Sequence, residues 1–450
     1  LEQLLVDSGS IAIVVLANFA HTVQAVLKQV SLKHIIITEV GDLLPWPKSW
    51  LVNVVVRYIK RMVPAFDIPG YISFKSILKL GPTSTFTKPV LSGEDVAYIQ
   101  YTGGTTSRLL RGAMLTHRNM VANIEQASSW LINSIRPGKE IIITALPLYH
   151  IFSLTANCLT FMKIGALNVL ITNPRDMKAF IHDLKQYPFT AITGVNTLFN
   201  ALLNQPDFCK SDFSYLHITL GGGMAVQRSV AKHWKRVTGT PLLEAYGLTE
   251  ASPAVCINPF NLHEYNGSIG LPVSSTEVSI RDEDCKEVPV GDPGELWVKG
   301  PQVMKGYWNQ PEKTAETLQE GWLRTGDIVT MDAEGFVKVV DRKKDIILVS
   351  GFNVYPNEIE DVIALMPGVR EVAVVGEAHV EKGELVKAFI VKKDSSLTAE
   401  AVTQFCHTML TGYKIPKIIE FRESLPKTPV GKILRRALRS EKIENESLNT

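Results

Sequence analysis

The chain has 450 residues, 45% of them hydrophobic, and 47 basic against 45 acidic side chains leave a formal charge of +2 at pH 7. That length buries cores for two or more domains, and the balanced charge gives no reason to expect a nucleic-acid partner. Five cysteines, Cys158, Cys209, Cys256, Cys285 and Cys406, make an odd set without metal-type spacing, which points to a reducing, cytoplasmic setting with free thiols and to no zinc site.

No signal peptide opens the sequence, and the apolar run Ile11 to Ala20 is too short and interrupted to span a bilayer. Trp50 to Phe66 mixes apolar residues with Arg57, Lys60 and Arg61. That pattern predicts a helix with one packed and one solvated face; a basic helix resting on the inner face of a membrane has the same pattern.

From Ile11 to Ala245, short β-branched runs alternate with amphipathic stretches. The runs are Ile11–Leu16, His34–Thr38, Glu140–Ala145, Asn168–Ile171, Thr190–Thr193 and His217–Leu220, and helices are expected at Arg118–Leu131, Met177–Gln186 and Ala225–Val237. This alternation predicts an α/β fold of helix-covered parallel sheets, with ligands on loops at the carboxyl ends of strands. Tyr101-Thr102-Gly103-Gly104-Thr105-Thr106 is placed to be such a loop. Its glycines and hydroxyls suit a phosphate chain, although an ordinary glycine turn reads the same, and no Gly-Lys-Ser or Gly-Lys-Thr closes it as a Walker loop.

Later loops add further groups. His150, in Pro147-Leu148-Tyr149-His150, is by itself as well explained by packing as by catalysis. Gly221-Gly222-Gly223 after a strand permits close approach of a flat ring, or simply a tight turn. Glu244-Ala245-Tyr246-Gly247-Leu248-Thr249-Glu250 offers an aromatic face, a hydroxyl and a carboxylate able to hold Mg²⁺ against phosphate oxygens. With the loop at Tyr101 this suggests a nucleoside triphosphate site.

Beyond Asn266 the texture changes to short strands and Asp-rich turns, read as a small antiparallel subdomain over about 266–340. Trp322 to Asp327 reads as a glycine turn whose Asp327 could accept from a ribose diol. The charge run Asp341-Arg342-Lys343-Lys344-Asp345 suits a domain boundary, and a separate α/β unit of about one hundred residues follows. Near its end, Lys432 stands in a Pro- and Gly-bearing turn, mobile enough to enter a site elsewhere.

In this order and spacing, the motifs resemble the adenylate-forming superfamily of acyl- and aryl-CoA synthetases, luciferases and peptide-synthetase adenylation domains. The wording of Glu244–Glu250, Trp322–Asp327, Asp341–Pro356 and Thr411–Arg436 is most similar to bacterial long-chain fatty acyl-CoA synthetases. The resemblance implies an N-terminal adenylation domain over 1–340, a hinge at 341–345 turning on Lys344, and a mobile C-terminal domain over 346–450. It also implies ATP-dependent conversion of a fatty acid to acyl-AMP and transfer to coenzyme A, with Mg²⁺ on Glu250.

By the same resemblance, Thr102, Gly103, Gly104, Thr105 and Thr106 hold the β- and γ-phosphates. Gly221, Gly222, Gly223 and Tyr246 flank the adenine, with Glu244, Ala245 and Gly247 in the same nucleotide site. Thr249 touches the α-phosphate, Asp327 and Arg342 bind the ribose, His150 lies near the acyl carboxylate, and Lys432 serves adenylation. Gly351 leaves room for the pantetheine arm once the C-terminal domain has swung. The resemblance leaves room for a homodimer and for peripheral membrane contact.

Two departures from the pattern are visible. Family members carry roughly a hundred residues ahead of the region matching Leu1, a domain's worth of chain. The opening loop continues as Ser107-Arg108-Leu109-Leu110-Arg111, lacking the relatives' third glycine and placing arginine where they have lysine, so lower activity is expected. Acyl transfer to a carrier-protein thiol, and a silent nucleotide-binding fragment, stand as alternatives.

Overall fold

The computed structural model describes residues 1–103, 110–379, 382–428 and 430–439. They divide into two compact units, the first formed by Leu1–Asp95, Tyr101–Gly112 and Trp308–Gln310, the second by the remainder.

The first unit contains a parallel sheet of Ala12–Leu16, His34–Thr38 and Ile72–Ser73. The isoleucine run in His34–Thr38 favours a strand, and Ile37 packs with Ala17, Ala20, Val23 and Ile68. Asp7 ties this unit's chain segments together: its carboxylate accepts from Tyr101 Oη at 2.5 Å and its carbonyl from Trp308 Nε1 at 2.8 Å. The helix expected across Trp50–Phe66 is shorter than the pattern suggests. It runs through Lys48–Val54, widens into a π-helical turn over Val55–Ile59, and stops. Four closely spaced valines weaken its helical preference, and Trp50, Tyr58 and Ile59 remain exposed.

The second unit is built on a seven-stranded sheet, ordered Leu271–Pro272, Ala254–Ile257, Leu243–Gly247, Ile218–Gly222, Ala191–Gly194, Ile141–Thr144 and Leu167–Leu170. The last five are parallel and the first two antiparallel. Ala191–Gly194 and Ile218–Gly222 are buried along their whole length, as expected of strands covered on both faces. Chain order reverses at Ile141–Thr144, which has Leu167–Leu170 on one side and Ala191–Gly194 on the other. A crevice at the carboxyl ends of these strands is where such sheets bind ligands.

Helix His117–Leu131 begins at a capping box, Thr116 accepting from Asn119 N while Asn119 accepts from Thr116 N. Helices Asn196–Leu203 and Arg228–Thr238 meet through Phe199 and Trp234, whose rings stand edge to face at 4.8 Å. The expected parallel strands and helices are thus present, with ends differing by a few residues.

The subdomain beyond Asn266 is antiparallel, Trp322–Met331 pairing with both Gly294–Lys299 and Val337–Arg342. The turn expected at Trp322 to Asp327 is instead part of this strand. Trp297 faces Arg324 while Glu295 faces Ile328, so Thr325-Gly326-Asp327 forms a bulge, with Gly326 at φ 72°. Glycine allows that left-handed step, which re-aims the following side chain.

The C-terminal segment forms a mixed sheet ordered Phe352–Val354, Ile347–Val349, Gly383–Lys392 and Val369–His379, with Ile418–Arg422 parallel to Gly383–Lys392. Helices Pro356–Ile363 and Ala399–Met409 contribute Ile359, Ile363, Val402 and Cys406 to its core. Among the described residues, no helix is long and apolar enough to cross a membrane.

Trp234 is fully buried between Phe199 and Phe208. Trp234→Ala is expected to destabilise the second unit by about 3–5 kcal/mol, read as a lower urea midpoint; an unchanged midpoint would contradict this placement of the core.

Candidate active site

The carboxyl ends of three central strands lead into the residues singled out by sequence. After Ile141–Thr144 the chain reaches His150, after Ala191–Gly194 it reaches Val195 and Thr197, and Ile218–Gly222 ends beside Gly223. Lys432 enters at this reversal of strand order. A Cβ on Gly223 would lie 3.2 Å from Lys432 Cε, 3.5 Å from its Nζ and 3.8 Å from Val195 Cγ1. Gly223 itself has φ 78°, so a side chain here would be both strained and in the way of the lysine.

The turn carrying Lys432 is closed by its own hydrogen bonds. Thr428 N donates to Lys432 O at 2.7 Å, Lys432 N to Thr428 Oγ1 at 3.1 Å, and Gly431 N to Thr428 O at 2.9 Å. Thr197 Oγ1 then donates to Gly431 O at 3.0 Å, docking the turn on the loop after Ala191–Gly194.

Burial pushes the Lys432 ammonium down to about 8, assisted by the Arg342 charge and opposed by Asp327. His150 is pushed down to about 4, by burial first and the Lys432 charge second. It is therefore neutral at pH 7. Its Nδ1 accepts from Phe152 N at 3.3 Å, which places the ring proton on Nε2 and leaves it as a donor.

Asp327, re-aimed by the strand bulge, accepts from Tyr246 Oη at 2.5 Å through one oxygen and faces Arg342 Nε at 3.2 Å through the other. Three separated motifs thus converge on one carboxylate. Thr325 supports the bulge, donating to Leu296 O at 2.8 Å while accepting from Asp327 N at 3.1 Å. Burial and the neighbouring Asp327 charge keep the Tyr246 phenol far above its ordinary range.

Gly221 and Gly222 pair with Glu244 and Ala245 in adjacent strands, and Tyr246 and Gly247 follow. The Glu244 carboxylate accepts from Val226 N at 2.7 Å, and its carbonyl accepts from Asn258 N and Nδ2 at 3.1 Å each. Burial raises its carboxyl to about 7. Glu244 therefore braces the strand and the loop beyond Gly223, with side chain and carbonyl already engaged.

Thr249 and Glu250 lie in the 3₁₀ turn Thr249–Ala251. Glu250 Oε1 accepts from Tyr307 Oη at 2.7 Å, and its carbonyl accepts from Met304 N at 2.8 Å. No group of three or more metal-binding side chains occurs among the described residues. A single steadied carboxylate nevertheless suits Mg²⁺, which keeps water and substrate phosphate oxygens as most of its ligands.

Thr102 and Gly103 end strand Val96–Gly103, and Thr102 Oγ1 lies 3.5 Å from Arg111 O. Gly104, Thr105 and Thr106 lie outside the described residues, as do Ser107 to Leu109. Gly351, at φ 86°, forms the hairpin turn before Phe352–Val354, and Phe352 stacks on Tyr413 at 4.8 Å. A cleft of about 210 Å³ beside it is bordered by Ser350, Lys382, Tyr413 and Lys417. Lys344 lies in the turn Lys343–Asp345, its carbonyl accepting from Arg439 Nη1 at 3.3 Å. Tyr307 carries neither a charge nor a glycine pattern, and its tie to Glu250, 57 residues away, is not readable from local sequence.

The chain is similar to known proteins along most of its length. Residues 1–308 match the AMP-binding enzyme family, and residues 358–432 match the AMP-binding enzyme C-terminal domain. The chain is 57% identical over 450 residues to a long-chain-fatty-acid–CoA ligase of Escherichia coli O6:H1, covering 99% of this chain and 80% of that protein. It is 40% identical to a long-chain-fatty-acid–CoA ligase of Bacillus subtilis, over 92% and 74% of the two. Among solved structures, the anthranilate CoA ligase AuaEII in complex with anthranoyl-AMP gives a TM-score of 0.83 at 26% identity, covering 98% of this chain and 79% of that one. ATP-bound MatB from Rhodopseudomonas palustris gives 0.78 at 28% identity, covering 98% and 80%. With its fold, its motifs and likenesses that cover nearly all of this chain in agreement, the chain belongs to the AMP-binding, adenylate-forming enzyme family.

Proposed function

We propose that this protein is a long-chain fatty acid–CoA ligase, which joins a fatty acid to AMP from ATP, releases pyrophosphate, and passes the acyl group to coenzyme A. The observation that carries the reading is Lys432 half-buried against Gly223, near His150, Arg342 and Asp327, where strand order reverses. Two negatively charged groups, a carboxylate and a triphosphate, have to meet in line, and a fixed cation is what that requires.

In this reading Tyr246 and Gly221 to Gly223 flank the adenine, and Asp327 with Arg342 receives the ribose. Lys432 holds its proton against the phosphates and offsets the charge that builds as the carboxylate attacks. His150, neutral, donates through Nε2 toward the acyl carboxylate and adds no competing charge. Mg²⁺, when bound, neutralises phosphate charge, and Glu250, steadied by Tyr307, would hold it.

Thioester formation then follows a turn of residues 346–450 about Lys344, which removes Lys432 and brings the Gly351 edge to the acyl adenylate. The long-chain acid is supported by the 57% identity to the ligase of that name. Peripheral association with a membrane is supported by exposed Trp46, Trp50, Tyr58 and Ile59 in a segment that also carries Lys48, Lys60 and Arg61.

Lys432→Ala is expected to abolish acid-dependent exchange of pyrophosphate into ATP while leaving conversion of supplied acyl-AMP and CoA to thioester within about threefold; equal loss of both steps would count against the assignment. The free-enzyme lysine is protonated below about pH 8 and loses its charge above it. The exchange kcat/KM for ATP should therefore decline as pH rises through about 8, and a profile flat to pH 10 would contradict this. Reversing Lys60 and Arg61 to glutamate should weaken cosedimentation with anionic vesicles; unchanged binding would remove this segment from the interface.

A further inference from the structure

A dense ionic cluster outside the chemistry above surrounds Arg435, three residues beyond Lys432. Arg435 Nη2 donates to Glu360 Oε2 at 2.7 Å and to Asn357 Oδ1 at 2.6 Å, while Nε donates to Glu360 Oε1 at 3.1 Å. Its Nη1 donates to Asp341 Oδ1 at 3.2 Å and lies 3.6 Å from Asp345 Oδ2. Arg439 adds hydrogen bonds to the carbonyls of Lys344 and Asp345. The Asp341 side chain is 0% exposed, and its second oxygen accepts from Asn357 N at 2.8 Å, near the start of helix Pro356–Ile363.

These partners stand on opposite sides of the turn Lys343–Asp345. Asp341 is the penultimate residue of the strand Val337–Arg342 of the antiparallel sheet, whereas Asn357, Glu360 and Arg435 belong to the C-terminal segment. Glu360 and Asn357 would travel with Arg435 in any rotation about that turn, and Asp341 would stay behind. The Asp341–Arg435 pair and the Asp341–Asn357 bond therefore exist only in an orientation like this one, in which Lys432 reaches Gly223. Both charges are largely withdrawn from water, and separating such a pair leaves two uncompensated charges.

We infer that Arg435 is a positioning residue for adenylation: paired with Asp341 across the hinge, it latches the C-terminal segment in the orientation that delivers Lys432, and this pair opens before thioester formation. The inference rests on the roles proposed for Lys432 and for the hinge. Arginine suits the task because its planar fork serves Glu360, Asn357 and Asp341 together, which a lysine cannot do.

The test uses Arg435→Lys, Asp341→Asn and the double variant, with Lys432→Ala alongside, each assayed for pyrophosphate exchange and for thioester formation from supplied acyl-AMP and CoA, with melting curves. Asp341→Asn leaves Arg435 paired with Glu360, so it decides the matter if Arg435→Lys does not fold. The expected result for each single variant is a loss of exchange of about tenfold or more with the thioester step unchanged within about twofold, and a double variant no worse than the weaker single one. Unchanged exchange, or equal loss of both steps tracking a lower melting temperature, would overturn the latch. Loss of exchange in Lys432→Ala without loss in the latch variants discards the latch alone, whereas exchange intact in Lys432→Ala discards the reading on which it rests.

Discussion

Burying the Lys432 ammonium is the constraint around which the second unit is arranged. The folded protein holds this proton only to about pH 8, while an unfolded lysine holds it to about 10.4. Folding therefore releases the proton more readily, and the burial penalty is present in full below pH 8 and fades as pH rises toward the unfolded value. At pH 7 it amounts to roughly 3 kcal/mol, a sizeable share of a domain's stability. The surroundings offset it: a turn closed on itself, Thr197 docked to Gly431, and the Asp327 carboxylate nearby. In the proposed role, triphosphate binding would turn this penalty into attraction, because the ligand would bring a counter-charge.

Among the described residues, the groups around Lys432 are engaged with one another. Asp327 opposes the depression of Lys432, yet its oxygens are engaged by Tyr246 and Arg342. His150 is held neutral, so it does not repel the lysine further. Glu250 is steadied by a phenol and adds no counter-cation among its hydrogen bonds. In the proposed function, each arrangement would leave charge for a nucleotide and its metal to complete.

Much of the architecture was legible in the sequence because it depends on local pattern. The isoleucine run at His34–Thr38 and the alternation around His217–Leu220 announce strands, and Pro356 announces a helix start. Trp322 to Asp327 misled because Gly326 signals a turn with equal force whether the chain reverses or merely bulges; only the pairing with Gly294–Lys299 distinguishes them. Trp50–Phe66 misled because helical periodicity does not reveal that crowded valines and local packing end the helix early. The candidate site was legible through its charged and glycine-rich members. Tyr307 was not, and Arg435, though inside the motif Thr411–Arg436, carried no role of its own, since each acts on a partner more than fifty residues away.

The contact between Tyr246 and Asp327 has a consequence for selectivity among nucleotides. In the ribose-binding role, a sugar hydroxyl has to share or displace a phenolic donor already in place. A sugar lacking that hydroxyl leaves no orphaned carboxylate behind, because Tyr246 remains bonded to it. Strong rejection of an analogue arises where its absence strands a buried polar group. In that role, preference for ribose over deoxyribose at this carboxylate would be limited to what the hydroxyl itself adds.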